Sequence, residues 1–571
     1  MAAVKQIEAA IGKNHDLTIV AGLGRDRLDF LKAFELPGHN PLGNMINGYF
    51  QLQLAVNSTL SEFLTAYKIF DKVSTYIANV CKLYFREKLE VRMEYQDLRD
   101  WIQIADEMGE LKTLKGCDWN LEIGAITEIA AHKEDGPAVL FEDIKGYPKG
   151  YRVLSNSLSS RKRLALTLGL PSGETKMDFV KIWKDNYKSI KPVPAKFVKK
   201  SALFDNVYKD GDIDMFKFPT PLWHDKDGGR YIGTGSVDIT RDPDEGWVNY
   251  GTYRVMIHDK NKLGFYISPG KHGRIQREKY AANGKPFKIA MSFGHDPLTF
   301  LAGSIEVPYG VPEYEFIGGL RGAPFEMIEG EYSGLPIPAN AEIVIEGDVH
   351  FDNPKVEGPF GEWTGYYASA ERAEPWVEVK RLYHRNDPII LGSPPGRPPA
   401  ELGWYRSYLR SALIWDEMEK AGVPDVKGVW LTVSGGSRLM MCVSIKQRYP
   451  GHAKQAAVIA SQCHAGAYLG RFVVVVDDDI DPSNTDDMIW AMSTRCEPEQ
   501  DIDILRRCWS GPLDPVIHPT KKGFNSRAII DATRPYEWMK DFPPVAESSK
   551  EVLDATAKKW GAELFGTNGK K

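Results

Sequence analysis

Apolar and polar positions divide the chain into regions of different predicted secondary structure. Residues 1–94 carry the apolar periodicity of helices. A clearer amphipathic helix follows, and Gly109 is placed to end it. The residues that share its apolar face are Leu98, Trp101, Ile102, Ala105 and Met108.

From about residue 138 to residue 347, the pattern changes to short apolar runs separated by Gly and Pro. Such runs are typical of strands in a β-barrel or a β-sandwich. The clearest examples are Ala138-Val-Leu-Phe, Tyr253-Arg-Val-Met-Ile, Gly264-Phe-Tyr-Ile and Glu342-Ile-Val-Ile.

A stiff segment, Ser393-Pro-Pro-Gly-Arg-Pro-Pro399, interrupts the pattern and predicts a domain junction. A long helix is predicted next, from about Glu401 to Ala421, with Gly422 closing it. Beyond it, strands such as Phe472–Val476 alternate with helical stretches, which indicates an α/β domain. The last part, about 25 residues rich in Ala, Lys and Glu, predicts an exposed helix.

Composition is that of a globular protein, with 571 residues, 43% hydrophobic and 26% charged. The net charge of −5 gives no reason to expect nucleic acid or an anionic membrane as a partner. No apolar run approaches the ~20 residues of a membrane span, and the first residues lack a secretory apolar core. The six cysteines include no Cys-x-x-Cys pair, which argues against a structural zinc site or disulfide framework and fits a reducing cytoplasm.

The segment Glu357-Gly-Pro-Phe-Gly-Glu362 is the strongest candidate for chemistry. Its Gly and Pro residues favour a loop of defined shape rather than a helix. Trp363, Tyr366 and Tyr367 follow, and an acid pair beside aromatic walls suits proton transfer in a dry pocket. A surface turn with two solvated Glu side chains would show the same pattern, so both interpretations stay open.

Other polar segments are less specific. Lys271, His272 and Arg274 lie on a Gly-flanked turn that could meet a phosphate or could be solvated. Val311-Pro-Glu-Tyr-Glu315 offers either Glu313 or Glu315 as a ligand, and Ser444–Lys454 is a second basic loop. Asp477-Asp-Asp479 follows an apolar strand, where helix capping and solvation are favoured over metal binding.

In their order along the chain, these segments resemble the UbiD-like decarboxylase family. The resemblance runs from about residue 95 to about residue 535, and residues 1–94 lie outside it. It is carried by Asp97-Leu-Arg-Asp with Gly-Glu-Leu-Lys112, Gly318-Gly-Leu-Arg-Gly322, Pro338-Ala-Asn-Ala-Glu-Ile-Val-Ile-Glu-Gly347, Glu357-Gly-Pro-Phe-Gly-Glu362, Ser444-Ile-Lys with Tyr449-Pro-Gly-His-Ala-Lys454, Val476-Asp-Asp-Asp, Ile489-Trp-Ala-Met-Ser-Thr-Arg495 and Asp531-Ala-Thr533.

The resemblance implies an α/β (α+β) fold in which a flavin-binding split β-barrel is joined by a helix to an α/β oligomerisation domain. The boundaries it suggests are 1–94 for a helical extension, 95–392 for the flavin domain, 393–422 for the linker and helix, and 423–571 for the α/β domain with a C-terminal helix.

The cofactor implied by the resemblance is prenylated FMN. The family's metal ligands correspond to Asn249, His272 and Glu313, a mixed oxygen and nitrogen set suited to Mn²⁺ or Mg²⁺. Glu313 is taken rather than Glu315 because it lies eight residues before Arg321, as in the family pattern.

Further contacts follow from the same resemblance. A K⁺ ion is expected near the backbone carbonyls of Trp247, Ala302, Gly303 and Ile305. Family members often carry Gln where this chain has Lys271. The remaining implied cofactor-binding residues are Tyr253, Arg254, Lys271 and, as a phosphate contact, Lys446.

The family's catalytic trio corresponds to Arg254, Glu357 and Glu362. Loss of CO₂ from an sp² carbon would leave an unstabilised carbanion, and a cofactor that adds covalently to the substrate supplies an electron sink. The resemblance gives the proton donation to Glu362, with Arg254 and Glu357 as an ion pair beside it. An apolar pocket is expected to raise the pKa of Glu362.

The residues leave the substrate open. A free aromatic or heteroaromatic carboxylic acid is the first expectation. An aromatic acyl-CoA with a ring carboxylate, or a subunit of a multi-component aromatic carboxylase, is the alternative. Candidates for contact with the ring, each equally suited to the core, are Trp363, Tyr366, Tyr367, Trp404 and Tyr405.

Rival classes are less consistent with the pattern. An ordinary flavin oxidoreductase has no need of the two-Glu loop, and a glycosidase needs neither the basic turn nor the metal trio. A non-catalytic subunit should have lost Arg254 or one Glu. Expected partners are a flavin prenyltransferase as cofactor supplier and further copies of the chain, which would assemble through the region from about residue 400 onward.

Overall fold

The computed structural model describes residue 93 and residues 95–565, except for residues 306, 308 and 369. The predicted helical extension over residues 1–94 therefore lies, apart from residue 93, outside the described residues. Within them the chain forms a mixed α/β fold with four β-sheets. No helix of this part is long and apolar enough to cross a membrane.

The first elements build a small α/β layer. Strands β1, β2 and β3 lie side by side in one sheet. The elements are α1 (Leu98–Glu107), β1 (Leu111–Lys115), α2 (Glu122–His132), β2 (Ala138–Glu142), β3 (Arg152–Ser155), α3 (Arg161–Leu168) and α4 (Lys176–Tyr187).

Helix α1 matches the predicted amphipathic helix. Asp97 caps its start by accepting hydrogen bonds from the N–H groups of Arg99 and Asp100. Four of the five predicted apolar positions are buried. Met108 is 40% exposed, because it lies just past the end of the helix, and its predicted place on the packed face is wrong.

The central part of the chain is rich in strands, as predicted. Its elements are β4 (Lys196–Phe197), β5 (Asn206–Lys209), β6 (Tyr231–Gly233), β7 (Val237–Arg241), β8 (Val248–Gly251), β9 (Val255–Asp259), β10 (Lys262–Gly264), α5 (His272–Asn283), β11 (Phe287–Gly294), α6 (Pro297–Ser304), α7 (Glu313–Arg321), β12 (Glu326–Glu329), β13 (Pro336–Pro338), β14 (Ile343–Glu357), β15 (Arg372–His384) and β16 (Ile389–Gly392).

Nine of these strands form one antiparallel sheet. The strand order is β6-β9-β10-β15-β14-β11-β7-β8, and β5 pairs with β15. A separate three-stranded sheet has the order β13-β12-β4, and β16 joins β3 of the first layer.

The large sheet must curl, because its two ends are joined by a very short connector. Strands β8 and β9 are six positions apart in the strand order, which would separate them by about 29 Å in a flat sheet. Only Thr252, Tyr253 and Arg254 connect them, and this span can reach at most about 14 Å. The sheet therefore bends into a half-barrel, and Arg254 lies where its ends meet.

The predicted strands at 253–257 and 264–267 have different limits in the structure. Strand β9 begins only at Val255, and β10 ends at Gly264. Arg254 and Tyr266 instead form an isolated bridge outside the strands. The apolar pattern could not show this, because these residues are buried at the mouth of the half-barrel rather than within its strands.

The predicted long helix is confirmed as α8 (Glu401–Lys420), and a mixed five-stranded sheet follows it with the order β17-β18-β19-β21-β20. The elements after α8 are β17 (Val426–Leu431), β18 (Met440–Ile445), α9 (His452–Gln462), α10 (His464–Ala467), β19 (Phe472–Asp477), α11 (Thr485–Arg495), α12 (Pro498–Asp501), β20 (Ile502–Trp509), β21 (Phe524–Ala532) and the exposed α13 (Lys550–Phe565). Short 3₁₀ turns span Ala202–Asp205, Asp210–Asp212, Met215–Lys217, Pro519–Lys521 and Tyr536–Asp541.

The apolar face of α8 packs inside the chain. Tyr408, Leu409, Ile414 and Met418 are each at most 3% exposed. This face is therefore not available to a second copy, and assembly through the region from about residue 400 stays a prediction that needs another surface.

The acidic run after β19 has a structural role that differs from the expected capping and solvation. Asp477 accepts a hydrogen bond from Arg495 at 3.0 Å and another from the N–H of Arg534 at 2.7 Å. Asp479 accepts two more from Arg495, at 2.9 and 2.8 Å. These ion pairs fasten β19 to α11.

A second buried ion pair fixes the first layer. The side chain of Arg163 is fully buried. It donates to the carboxylate of Glu110 at 2.8 Å and to the carbonyl oxygens of Gly136 at 2.6 Å and Ser157 at 3.1 Å. Arg163 thus joins three segments that approach the start of α3.

Replacing Arg163 by Met should lower the free energy of unfolding by about 3 kcal/mol, because a buried charge and several carbonyls lose their partner. Urea unfolding monitored by tryptophan fluorescence measures this loss. Lys162→Met is the matched control, since Lys162 reaches the same carboxylate at 3.2 Å from an exposed position. Lys162→Met should lower the free energy of unfolding by less than about 1 kcal/mol. Equal losses in the two variants would contradict the prediction.

Candidate active site

Three charged side chains meet where the ends of the half-barrel come together. Arg254 donates from Nε and Nη2 to the two oxygens of Glu357, both at 2.8 Å. Its remaining nitrogen, Nη1, donates to Glu362 Oε1 at 3.0 Å. The planar guanidinium thus matches the planar carboxylate of Glu357 and also reaches a second acid. Because Glu357 is fully buried, the solvated-turn interpretation of this loop is wrong.

The loop geometry explains how both acids reach one cation. Glu357 is the last residue of β14, and Gly358 follows with a φ of 89°, a conformation that favours glycine. The turn packs closely on Gly228, where an added Cβ would lie 2.0 Å from the carbonyl oxygen of Gly358. The N–H of Glu362 then donates to the carbonyl of Tyr366 at 3.1 Å, which closes the loop.

Aromatic side chains enclose the acid pair. Tyr231 donates from its hydroxyl to Glu357 Oε1 at 3.0 Å, and its ring stacks on Phe360 with 3.9 Å between ring centres. The guanidinium of Arg254 lies 4.4 Å from the centre of the Tyr266 ring. These rings exclude water from the ion pairs.

Burial in this enclosure raises the pKa of Glu362 to about 7, although the positive charges of Arg254 and Arg372 oppose the shift. Near neutral pH, Glu362 is thus divided between its protonated and ionised forms. Glu357 accepts three hydrogen bonds, two from Arg254 and one from Tyr231, which suits a carboxylate. The two acids therefore differ in environment, as a proton donor and its partner should.

Two side chains of the β7 region hold the connector that carries Arg254. Asp238 Oδ2 accepts the N–H of Tyr253 at 3.0 Å, and Ser236 Oγ donates to the carbonyl of Tyr253 at 3.1 Å. Both side chains are buried. Because the connector belongs to no strand, these bonds replace the missing ladder and fix the direction of Arg254.

Tyr253 also links the predicted cofactor-binding residues. Its hydroxyl accepts from Asn249 Nδ2 at 3.3 Å and from the N–H of Gly273 at 3.1 Å. Gly273 is the second residue of α5, which begins at His272. Asn249 and His272 are thereby brought to the same side of the connector.

Glu313 joins this group from the start of α7. Its Oε2 accepts the N–H of Tyr250, the residue after Asn249, at 2.8 Å. Glu313 is 5% exposed, whereas Glu315 is only half-buried, so the structure favours Glu313 as the inward-facing carboxylate. The predicted ligand trio therefore comes from β8 and from the first residues of two helices.

The chemistry of these residues fits a divalent cation. Burial raises the pKa of Glu313 to about 8, and in the described part of the chain its carboxylate has no ion-pair partner. A bound cation would supply that partner. Burial and the charge of Lys271 lower the pKa of His272, which keeps the imidazole neutral, as a metal ligand must be. Among the described residues, no three His, Cys, Asp or Glu side chains form a metal cluster, and the trio here includes an amide.

The expected K⁺ contacts lie beside the same connector. The carbonyl of Gly303 accepts the N–H of Thr252 at 3.2 Å. Ala302 and Gly303 belong to α6, and Ile305 follows its end. The ring of Trp247 packs edge-on against His272 at 5.0 Å. Lys271 precedes α5 with an exposed side chain.

Lys446 lies apart from this group. Its side chain is exposed at the carboxyl end of β18, and its N–H donates to the carbonyl of Asp425 at 3.0 Å. Arg438 lies just before the other end of β18, and its guanidinium is 6.0 Å from the centre of the ring of Trp363, the residue that follows Glu362. The predicted phosphate contact of Lys446 stays a prediction, without support from this geometry.

The predicted aromatic candidates separate into two groups. Trp363 follows Glu362 in the chain. Its ring packs so closely on Gly436 that a Cβ added to Gly436 would be 2.6 Å away. Tyr366 is 62% exposed, and Tyr367 donates to Asp227 at 3.1 Å. Trp404 and Tyr405 are 6% and 0% exposed and belong to the core.

Several residues of the site carried no usable sequence signal. Tyr231 and Tyr266 lie in ordinary-looking apolar segments far along the chain from the acids that they approach, and Arg372 looks like an ordinary polar residue at the start of a strand. Asp238 offered a weak clue, because it sits in the apolar run Val237-Asp-Ile, where a charged residue is unusual.

Three family profiles match the chain in order. They are the N-terminal domain (residues 102–183), the Rift-related domain (196–398) and the C-terminal domain (404–532) of 3-octaprenyl-4-hydroxybenzoate carboxy-lyase, known as UbiD_N, UbiD and UbiD_C. Together they cover most of the described chain.

Two relatives and one solved structure agree with these profiles. A phenolic acid decarboxylase of Sedimentibacter hydroxybenzoicus is 34% identical over 77% of this chain and 92% of its own length. A pyrrole-2-carboxylic acid decarboxylase of Pseudomonas aeruginosa is 31% identical with the same coverage. An evolved dimeric form of the UbiD-class enzyme HmfF from Pelotomaculum thermopropionicum, in complex with prFMN, is 28% identical with a TM-score of 0.68 and covers 80% of this chain and 98% of its own.

Replacing His272 by Ala should reduce the divalent metal retained on purification at least about tenfold, because the trio loses its nitrogen ligand. Metal analysis of protein grown with Mn²⁺ measures the loss. His132→Ala, at an exposed helix end, is the control and should retain as much metal as the unaltered protein. Equal metal content in both variants would remove His272 from the ligand set.

Proposed function

Since the chain belongs to the UbiD family of carboxy-lyases, we propose that it removes CO₂ from an aromatic or heteroaromatic carboxylic acid with the help of prenylated FMN. The observation that carries the proposal is the sharing of Arg254 between two enclosed acids. One of these acids, Glu362, can be protonated at neutral pH.

The names of the relatives support the substrate class. By their names, one of the two decarboxylases acts on phenolic acids and the other on pyrrole-2-carboxylic acid. A panel of phenolic acids together with pyrrole-2-carboxylic acid is therefore the first set of substrates to test.

The residues that would hold the cofactor are linked by hydrogen bonds to Tyr253 and Tyr250, close in the chain to Arg254. Asn249, His272 and Glu313 would bind a divalent metal, Mn²⁺ or Mg²⁺, that tethers the cofactor phosphate, with K⁺ beside Gly303. When bound, the prenylated flavin supplies an electron sink for the electron pair that stays on the substrate carbon as CO₂ departs. Tyr253, which contacts Asn249 through its hydroxyl, lies between the metal trio and Arg254.

The chain's own residues manage the proton. Arg254 holds Glu357 through two hydrogen bonds and keeps Glu362 within reach through a third. Once CO₂ has left, Glu362 in its protonated form donates its carboxyl proton to the carbon that carried the carboxylate. Glu362 is then an anion beside Arg254, which stabilises it until a proton returns from solvent.

Replacing Glu362 by Gln should reduce turnover at least about a hundredfold, because an amide cannot supply the proton. Protein co-expressed with a flavin prenyltransferase should keep its flavin spectrum, since Glu362 is not a metal ligand in this proposal. The variant should also fail to place deuterium from solvent on the decarboxylated carbon. Mass spectrometry of the product measures this transfer.

Glu371→Gln is the matched control, because Glu371 is exposed on the same loop. It should retain normal turnover. Near-normal activity in Glu362→Gln would transfer the acid role to Glu357. Normal activity in both single variants and in the double variant would overturn the proposed mechanism.

The turnover number should fall as the pH rises through about 7. Glu362 acts in its protonated form, and its pKa of about 7 means that this form is lost above that value. Each further pH unit should cost about tenfold while protonation limits the rate. Steady-state assays between pH 5.5 and 9 measure the profile. A turnover number independent of pH over this range would contradict the assignment.

A further inference from the structure

One guanidinium of the site has shielded donors that form no hydrogen bond. Arg372 is the first residue of β15, and its Nε and Nη2 are shielded from solvent without a hydrogen bond. Within the described residues it forms no ion pair, and its recorded contact is with the ring of Tyr266, whose centre lies 4.2 Å from the guanidinium. Shielded donors of a charged group that lack an acceptor are costly, so this arrangement points to a bound anion.

Arg372 faces the acids rather than the outside of the sheet. It lies directly opposite Glu357 in the register of β14 and β15. Directly opposed residues of antiparallel strands point to the same face of the sheet. The Tyr266 ring lies within 4.4 Å of the guanidinium of Arg254 as well. Arg254 and Arg372 therefore flank one aromatic side chain.

The charges of the site show why a second cation is needed. Each nitrogen of Arg254 already donates one hydrogen bond to Glu357 or Glu362. The trio is neutral when Glu362 is protonated and carries one negative charge when it is ionised. With Glu362 protonated, Arg372 gives the four groups a net charge of +1, which a substrate carboxylate would neutralise.

The shape of the free donors also suits a carboxylate. Nε and Nη2 are adjacent on one edge of the guanidinium and form a fork that matches two carboxylate oxygens. They are the same two atoms through which Arg254 holds Glu357. Shielding from water strengthens such charge-assisted bonds.

We propose that Arg372 binds the carboxylate of the substrate and thereby selects aromatic acids over neutral aromatic compounds. This inference rests on the proposed decarboxylation, and it gives Arg372 a role in substrate binding that is distinct from proton donation by Glu362. The carboxylate is present in the bound substrate but leaves as neutral CO₂. The contact between Arg372 and the carboxylate should therefore lower KM and affect kcat less.

The test uses the holoenzyme with benzoate and benzamide as probes, two ligands that differ in the charged group. Dissociation constants are measured from the change in flavin absorbance. The unaltered enzyme should prefer benzoate. Arg372→Met should bind benzoate about 10- to 150-fold more weakly and benzamide with unchanged affinity, because it loses hydrogen bonds to a charged group. Arg372→Lys should recover part of the preference, since it restores the charge without the fork.

Turnover provides an independent readout. With the best acid of the panel, KM should rise in Arg372→Met by a similar factor, while kcat changes less than about threefold. Arg506→Met, an exposed arginine on β20, is the control and should leave both constants unchanged.

Two results would overturn the inference. One is unchanged benzoate affinity in Arg372→Met. The other is an equal loss for benzoate and benzamide, which would make Arg372 a support for Tyr266. The proposed function is judged separately. If the unaltered enzyme turns over no aromatic acid but still prefers benzoate through Arg372, decarboxylation fails and the carboxylate site stands. If the unaltered enzyme turns over aromatic acids and Arg372→Met has the same KM, decarboxylation stands and the carboxylate site at Arg372 fails.

Discussion

The hydrogen bonds between the backbone of Tyr253 and the side chains of Ser236 and Asp238 hold the connector between β8 and β9, on which the rest of the site depends. A span this short forces the large sheet to curl and brings its ends together. The same residues then point in two directions. Tyr253 reaches Asn249 and the start of α5, and Arg254 reaches the two acids. The closure of the half-barrel and the alignment of the site thus depend on the same connector.

Glu357 and Glu362 lie in the same enclosed site, but they receive different numbers of hydrogen bonds. Glu357 is held by a two-pronged contact with Arg254 and by Tyr231, whereas Glu362 receives a single bond from Arg254. With fewer donors and little water, Glu362 retains its proton at higher pH. One arginine thereby holds Glu357 with two hydrogen bonds and Glu362 with one, and aromatic rings enclose both acids.

Much of the architecture could be predicted from the sequence, because local patterns determine it. Apolar periodicity predicts helices α1 and α8 and the strand-rich centre. The order of the motifs along the chain, through the family resemblance, predicts that Arg254, Glu357 and Glu362 lie together. What could not be predicted depends on contacts between distant segments. Met108 falls just beyond a helix end, and the apolar face of α8 is already buried within the chain. Arg372 looks like any strand arginine until the register places it opposite Glu357.

The contact between Gly436 and Trp363 connects the turn between β17 and β18 to the loop that carries the acids. Gly436 contributes no functional group, and it lies in the part of the chain that carries none of the acids. An added Cβ at this position would lie 2.6 Å from the Trp363 ring, so any side chain there would press on the residue that follows Glu362. A survey of random substitutions scored by activity would therefore rank this glycine with the catalytic residues. Evolution of a new substrate range could act through the same position, by tilting the acid loop without altering any residue that touches the substrate.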